Sequence, residues 1–125
     1  MGELEALYHS FGERAAFFVV YIREAHPTDG WQVESNLRDG VEFAQPRSLE
    51  ERAAIAETCV ARLGLSAPLL LDGIENAASH AYNAWPERLY VIARGSRIAY
   101  QGGKGPYGFD PVELGNFLRS GAVSL

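Results

Sequence analysis

The stretch WPERLYVIARGSRIAYQG, residues 85–102, decides the fold class of this sequence. Within it, two apolar runs begin at Arg88 and Arg97 and flank a glycine-containing turn at 94–96, which predicts a β-hairpin. Pro86 must end any helix that precedes the hairpin, because proline lacks the backbone N–H that a helix interior uses. The C-terminal part of the chain therefore contributes two antiparallel strands that follow a proline.

Two further apolar runs upstream predict strands of a different kind. The run AAFFVVYI, which ends at Ile22, and the run PLLL at 68–71 show no alternation between apolar and polar residues. Such runs are typical of strands that are covered on both faces, as in a parallel sheet. We therefore expect two buried strands ahead of the hairpin.

Four helices are predicted from apolar periodicity and from capping residues. In an S/D-x-x-E capping box, the two side chains accept hydrogen bonds from backbone N–H groups that the first helical turn leaves free. The predicted helices are 1–11, with Leu4, Leu7, Tyr8 and Phe11 on one face; 48–64, from the Ser48/Glu51 box to Gly64; 72–85, from an Asp72/Glu75 box to Trp85; and 110–121, from Asp110 to Gly121. The order helix, strand, helix, strand, helix, strand, strand, helix predicts an α/β fold with a mixed sheet.

Composition narrows the functional class. The 125 residues are 47% hydrophobic and 22% charged, as expected of a single globular domain. A net charge of −5 without a cluster of lysine and arginine argues against nucleic acid as a partner. The longest apolar run is too short for a membrane helix and no signal pattern is present. We expect a cytoplasmic location and no membrane contact from these residues.

Cys59 is the single cysteine of the sequence, so no disulfide can form within the chain. It lies in helical register with Ile55 and Leu63 on the apolar face of the 48–64 helix. A buried cysteine usually behaves as a small hydrophobic residue, and we expect Cys59 to face the core. The spacing of histidine, cysteine and acidic residues indicates no metal site.

Three segments together resemble the iodothyronine deiodinase family, which are selenoenzymes of thioredoxin-like fold. The segments are YIREAHPTDGW (21–31), NAWPERLYVI (83–92) and YQGGKGPYGFDPVEL (100–114). The resemblance implies a thioredoxin-like mixed sheet with a C-terminal β-hairpin and flanking helices, in which Pro86 is the active-site proline and is cis. It also implies reductive deiodination of phenolic rings by a selenocysteine or cysteine, with a thiol reductant as co-substrate and no bound cofactor.

The resemblance assigns roles to five side chains. Glu24 assists proton delivery to the carbon that loses iodine, His26 donates to the ligand, and Trp31 shields the pocket. Glu87 and Lys104 hold the polar end of the substrate, Lys104 standing where the family has arginine. Simpler readings remain for the first three, because Glu24 and His26 also suit a turn and Trp31 also suits a buried anchor.

The same resemblance indicates that an N-terminal segment of the family's domain is missing from these residues. Family members carry a strand and a Cys-Thr-selenocysteine-Pro-Pro-Phe type motif just ahead of the helix that corresponds to residues 1–11. We therefore expect residues 1–125 to be one N-terminally incomplete domain that lacks the central strand and the nucleophile and is inactive as it stands. The strands near Phe17 and Arg88 should then pair directly or borrow a strand from a second copy, which would give a homodimer.

The expected function of the full-length protein is thiol-dependent reductive dehalogenation of iodinated phenolic compounds. Pro46 stands where family members that act on thyroid hormone place a histidine, so the expected substrates are small halogenated phenols in general. Two alternatives remain open. One is a non-catalytic thioredoxin-fold binding module, and the other is a peroxidase-like redoxin.

Overall fold

The structure, a computed structural model, describes residues 2–23 and 46–125 and has a mixed α/β architecture. The order of the described elements agrees with the predicted order. None of the helices in these two ranges is long and apolar enough to span a bilayer. The elements are α1 (Gly2–Phe11), β1 (Val19–Tyr21), α2 (Leu49–Leu63), β2 (Leu69–Leu71), α3 (Ala77–Tyr82), β3 (Tyr90–Ala93), β4 (Arg97–Gln101) and α4 (Pro111–Arg119).

The strands form two separate two-stranded sheets. β1 and β2 pair in parallel, with Val20 opposite Leu70, and β3 and β4 form the predicted antiparallel hairpin with an irregularity between Val91 and Ile92. The expected direct pairing between the strands near Phe17 and Arg88 is wrong for the described residues, because β1 pairs with β2 and β3 pairs with β4.

A hydrophobic core joins the first and last helices to the hairpin. Leu7 and Phe11 of α1 are buried against Leu114 and Leu118 of α4. Gly115 allows this close approach, since a Cβ at that position would lie 3.1 Å from the Leu7 side chain. The partly buried residues that pack against this core are Leu4, Phe17, Leu89, Val91, Tyr100 and Phe117.

Helix α2 packs against β2, and its predicted N-cap Ser48 and terminal Gly64 are confirmed. The second half of the predicted capping box differs, because the Glu51 carboxylate accepts from the N–H of Arg47 at 2.7 Å. The Ser48 hydroxyl accepts a hydrogen bond from the Glu51 backbone N–H at 3.1 Å, and Gly64 ends the helix in the left-handed conformation. Cys59 is 7% exposed, which confirms its predicted inward position. Leu63 is exposed, so it does not share that buried face as expected.

One face of the parallel sheet is open in the described structure. The side chain of Phe18 is 57% exposed, and Val20 and Leu70 are nearly half exposed. The residues that the structure describes leave this face of the strands open, although the sequence predicts cover on both sides. Side chains alternate along a strand, and α2 packs against β2 from one side.

Helix α3 is shorter than predicted. It begins at Ala77, because Asn76 adopts a left-handed conformation with φ 65° that a helix starting at 72 cannot contain. It ends at Tyr82, where Asn83 is again left-handed. Asp72 still caps the helix, but from outside it: its carboxylate accepts hydrogen bonds from the N–H groups of Ala78 and Ser79, both at 2.8 Å.

Candidate functional site

The candidate site lies at the carboxyl ends of β1 and β2, which meet at one edge because the strands are parallel. The backbone N–H of Asp72, just past β2, donates to the carbonyl of Tyr21 at 2.9 Å and holds the two ends together. Arg23 follows β1, and the segment 72–86 follows β2. Binding residues in α/β proteins commonly lie at this edge.

Arg52 of α2 fixes the start of the segment 72–86. Its side chain is 1% exposed and donates to the carbonyls of Asp72 and Gly73 at 3.1 and 2.7 Å, and to Asn76 Oδ1 at 2.9 Å. The Asp72 carboxylate meanwhile accepts from the amides of α3. The Asp72 carboxylate is thus satisfied by backbone N–H groups, and the Arg52 guanidinium donates through its two Nη atoms. The buried Nε of Arg52 has no hydrogen-bond partner among residues 2–23 and 46–125. Together the two side chains orient the segment that leads to Pro86.

The peptide bond between Trp85 and Pro86 is cis, as predicted. The Arg23 guanidinium carbon lies 4.8 Å from the centre of the Trp85 ring, which is cation–π distance. The indole nitrogen of Trp85 is buried and has no hydrogen-bond partner among residues 2–23 and 46–125. Arg23 and Trp85 therefore join the end of β1 to the residue that precedes the proline.

Glu87 and Lys104 lie on adjacent backbone. The N–H of Gly105 donates to the carbonyl of Glu87 at 2.9 Å, and the Glu87 side chain lies directly over Gly105, where any Cβ would overlap it. Lys104 donates from Nζ to Asn83 Oδ1 at 3.1 Å. The two residues that the resemblance assigns to the substrate's polar end thus lie on neighbouring backbone segments. Their binding role stays a prediction.

The loop 103–108 is tightly folded and contains a second cis peptide bond, between Gly105 and Pro106, which the sequence did not reveal. The Gly108 N–H donates to the Lys104 carbonyl at 2.9 Å. A Cβ at Gly103 would come within 2.9 Å of the Gly108 backbone, so both positions favour glycine. This geometry fixes the backbone that carries Lys104.

Arg88 ties the hairpin to the same region. Its Nε donates to the Gly102 carbonyl at 2.7 Å and its guanidinium to the Asn83 carbonyl at 3.2 Å, while the Cζ lies 5.5 Å from the Tyr90 ring centre. The Tyr90 hydroxyl in turn donates to the Tyr82 carbonyl. The end of α3, the proline and the start of β3 therefore form one connected surface.

Tyr100 and Glu5, whose pKa values are shifted, lie outside this surface. Burial, together with the hydrogen bond to Glu113 at 2.7 Å, raises the pKa of Tyr100 to about 12, so this hydroxyl is neutral at ordinary pH. Hydrogen bonds from Ser66 lower the pKa of Glu5. The Tyr100–Glu113 hydrogen bond joins β4 to α4, and the hydrogen bonds from Ser66 to Glu5 join the segment after α2 to α1.

Three of the predicted site residues, Glu24, His26 and Trp31, lie outside the described residues, and their roles stay predictions. Arg23 is the last described residue before them. Sequence reasoning did not select Arg23 and Trp85. Their positions, directly before Glu24 and directly before Pro86, are the signals that could have drawn attention to them.

Cys59 is poorly placed to act as the nucleophile. Its sulfur lies 4.0 Å from the Tyr21 hydroxyl, and the side chain is buried. A catalytic thiolate needs access to its substrate and an environment that favours the charged form. The burial of Cys59 indicates a structural role.

Comparison with known proteins gives consistent matches over nearly the whole chain. The family model for iodothyronine deiodinase matches residues 1–121. The chain is 37% identical over 119 residues to a type I iodothyronine deiodinase of Xenopus laevis, and 37% over 127 and 40% over 122 residues to thyroxine 5-deiodinases of Sparus aurata and Homo sapiens. These alignments cover 95%, 99% and 95% of this chain but 45%, 46% and 38% of the relatives. The chain thus spans less than half the length of these curated proteins.

Proposed function

The chain belongs to the iodothyronine deiodinase family, and we propose that the full-length protein is a thiol-dependent reductive dehalogenase of iodinated phenolic compounds. The observation that carries the proposal is the family match over residues 1–121. The names of two of the relatives given above point to thyroxine as their substrate. For this chain we favour smaller iodinated phenols, because Lys104 offers a point charge where a planar arginine fork would bind a carboxylate in two places.

The proposed reaction balances as a two-electron reduction. A selenolate or thiolate attacks the iodine atom, the carbon–iodine bond breaks, and the ring carbon takes a proton that Glu24 delivers. A first thiol then displaces iodide from the enzyme and releases a proton. A second thiol frees the nucleophile as the two thiols become one disulfide. The substrate carbon is reduced from C–I to C–H, and iodide and one proton are released.

The nucleophile belongs, in this proposal, to chain outside the 125 residues, because Cys59 is buried. We propose that a strand carrying it joins the two sheets into one thioredoxin-like sheet. The two separate sheets support that placement, because a further strand can pair with the edge of a two-stranded sheet. In its absence a second copy of the chain is the proposed source of a strand, which would make residues 1–125 alone a homodimer without activity.

The remaining roles follow the family resemblance. Glu24 delivers the proton, His26 donates to the ligand, and Trp31 shields the ring from water. Glu87 and Lys104 hold the polar end of the substrate. Their adjacent backbones, joined by the hydrogen bond from Gly105 to Glu87, support this pairing.

The proposal is tested by iodide release. The genomic sequence upstream of Met1 is translated and expressed with residues 1–125, and 2,6-diiodophenol is incubated with the protein and dithiothreitol. We expect iodide release that requires the upstream selenocysteine or cysteine and that falls about 100-fold in Glu24→Gln. The matched control is Glu50→Gln, an exposed acid of α2, which should not change the rate.

Two outcomes would contradict the proposal. Peroxide consumption without iodide release would favour a redoxin. Binding of the phenol without any thiol-dependent chemistry would favour a binding module.

A further inference from the structure

Two cationic side chains, Arg23 and Lys104, contact the six-residue segment 83–88, and a third, Arg88, belongs to it. Arg23 lies over the Trp85 ring with its Cζ 4.8 Å from the ring centre. Arg88 donates to the Asn83 carbonyl at 3.2 Å, and Lys104 donates to the Asn83 side chain at 3.1 Å. Each of these contacts is with a neutral group. Glu87 is the single acid within the segment.

This grouping contrasts with the charge of the whole protein. The chain has 16 acidic residues and 11 lysines and arginines. Even so, no carboxylate in residues 2–23 or 46–125 lies within ion-pair distance of Arg23, Arg88 or Lys104. Within the described part of the chain, these three cations create a locally positive potential that attracts an anion.

Arg23 is the cation best prepared to bind a planar anion. Its side chain is exposed, and the Trp85 ring already holds one face of the guanidinium. A guanidinium that is stacked on an aromatic ring keeps its N–H donors in the plane, where a phenolate or carboxylate oxygen can accept from them. Arg88 differs, because its Nε and part of its fork already donate to backbone carbonyls.

We propose that Arg23, held over Trp85, binds the phenolate oxygen of an ortho-iodinated phenol. The identity of the ligand rests on the proposed function. Iodine beside the hydroxyl withdraws electron density and lowers the pKa of the phenol below the value of about 10 of an ordinary phenol. The site therefore selects the ionised ring, and Arg23 directly precedes Glu24, the proposed proton donor, in the sequence.

The test uses the 125-residue chain and a binding readout that needs no nucleophile. The chain has two tryptophans, so its ¹⁵N–¹H spectrum has two indole signals, which Trp85→Phe assigns. Titration with 2,6-diiodophenol at about pH 8 should shift the Trp85 signal to saturation. We expect Arg23→Gln to weaken binding about tenfold and Arg23→Lys, which keeps the charge but loses the planar fork, about threefold.

Matched controls separate charge from shape. Arg94→Gln removes an exposed arginine from the hairpin turn and should leave the affinity unchanged. The methyl ether 2,6-diiodoanisole has nearly the same shape but cannot ionise, and it should bind at least tenfold more weakly, with no further loss in Arg23→Gln. Circular dichroism of each variant checks that the fold is intact.

Three results would overturn the inference. The first is equal affinity for the phenol and its methyl ether, and the second is an unchanged affinity for the phenol in Arg23→Gln. The third is equally tight, Arg23-dependent binding of 3,5-diiodobenzoate, which would show that the site binds aromatic carboxylates in general. Failure of the proposed function looks different. If the phenolate binds in an Arg23-dependent way but the upstream-extended protein releases no iodide, the proposed enzyme activity is refuted and the Arg23 site is retained. If the protein releases iodide and Arg23→Gln leaves KM unchanged, the activity is retained and the Arg23 site is refuted.

Discussion

Two regions of this molecule are held together by different chemistry. In the hairpin region, α1, β3, β4 and α4 meet through apolar side chains, with Phe11 and Leu114 at the centre. In the parallel region, the segment after β2 is held to α2 by the buried side chain of Arg52, which bonds to backbone carbonyls. Apolar packing depends mainly on volume, whereas hydrogen bonds also fix direction. The parallel region therefore positions the candidate site, while the hairpin region mainly supplies stability.

The largest expected effect is in the hairpin region. Phe11→Ala should lower the free energy of unfolding by about 4 kcal/mol, because it removes a buried ring and leaves a cavity between α1 and α4. Urea unfolding measures this loss. The control is Phe18→Ala, which removes a ring that is 57% exposed and should change stability by less than about 0.5 kcal/mol. Equal losses at both positions would contradict the assignment of the core.

A somewhat smaller loss is expected in the parallel region. Arg52→Met should cost about 3 kcal/mol, because it removes a buried guanidinium and three acceptors, one of them buried and two partly buried, lose their donor. Amide hydrogen exchange should show faster exchange at Ala78 and Ser79 than in the wild type, with β3 and β4 unchanged. Glu57→Met, an exposed change on the same helix, is the control and should be nearly neutral. Equal loss of protection in the hairpin would show that the two regions open as one unit.

Removing an N-cap side chain should lower the stability of the two regions by similar amounts. Ser48→Ala at α2 and Asp110→Ala at α4 each remove a side chain that accepts from backbone N–H groups of the first turn. We expect a loss of about 1 kcal/mol from each, measured by thermal unfolding. Ser120→Ala, which lies at the C-terminal end of α4, should cost less. A much larger loss at either N-cap would mean that this cap also supports tertiary packing.

The smallest effect concerns alkaline pH in the hairpin region. The pKa of Tyr100 is about 12 in the folded protein, above the value of about 10 of a free tyrosine. Its contribution to stability is therefore present below about pH 10 and is lost as the pH rises towards 12. We expect this loss to be below about 1 kcal/mol, because Tyr100 is only partly buried.

Ultraviolet titration of tyrosinate, combined with urea unfolding at several pH values, measures this contribution. Tyr100→Phe should abolish the late-titrating signal, while the fully exposed Tyr107→Phe should leave it in place. A wild-type protein without a late-titrating tyrosine would contradict the prediction.

The parts of the fold that the sequence predicted are those governed by local contacts. The caps at Ser48 and Asp110 act within three residues of themselves, and the hairpin turn at 94–96 depends on adjacent residues. The start of α3 was wrong, because the Asp72 carboxylate reaches six and seven residues ahead while Arg52 holds the Asp72 carbonyl. That arrangement depends on a contact between distant parts of the chain.

The open face at Phe18 and the site contact between Arg23 and Trp85 were missed for related reasons. An apolar run shows that a strand suits a buried position, but it does not show which face another element covers. Arg23 and Trp85 lie far apart in the sequence, and no local pattern links them. By contrast, Glu87 and Lys104 were selected from the family resemblance, and the structure brings their backbones together through Gly105.

The packing of α1 against α4 has a consequence for how the chain folds during its synthesis. Leu7 and Leu114 belong to the same core but lie more than 100 residues apart in the sequence, so the growing polypeptide cannot complete this core until α4 has left the ribosome. Contacts between residues so distant in sequence also slow folding, because a long loop must close before they form. Until then Leu7 and Phe11 of α1 lack the α4 side chains that bury them in the folded protein.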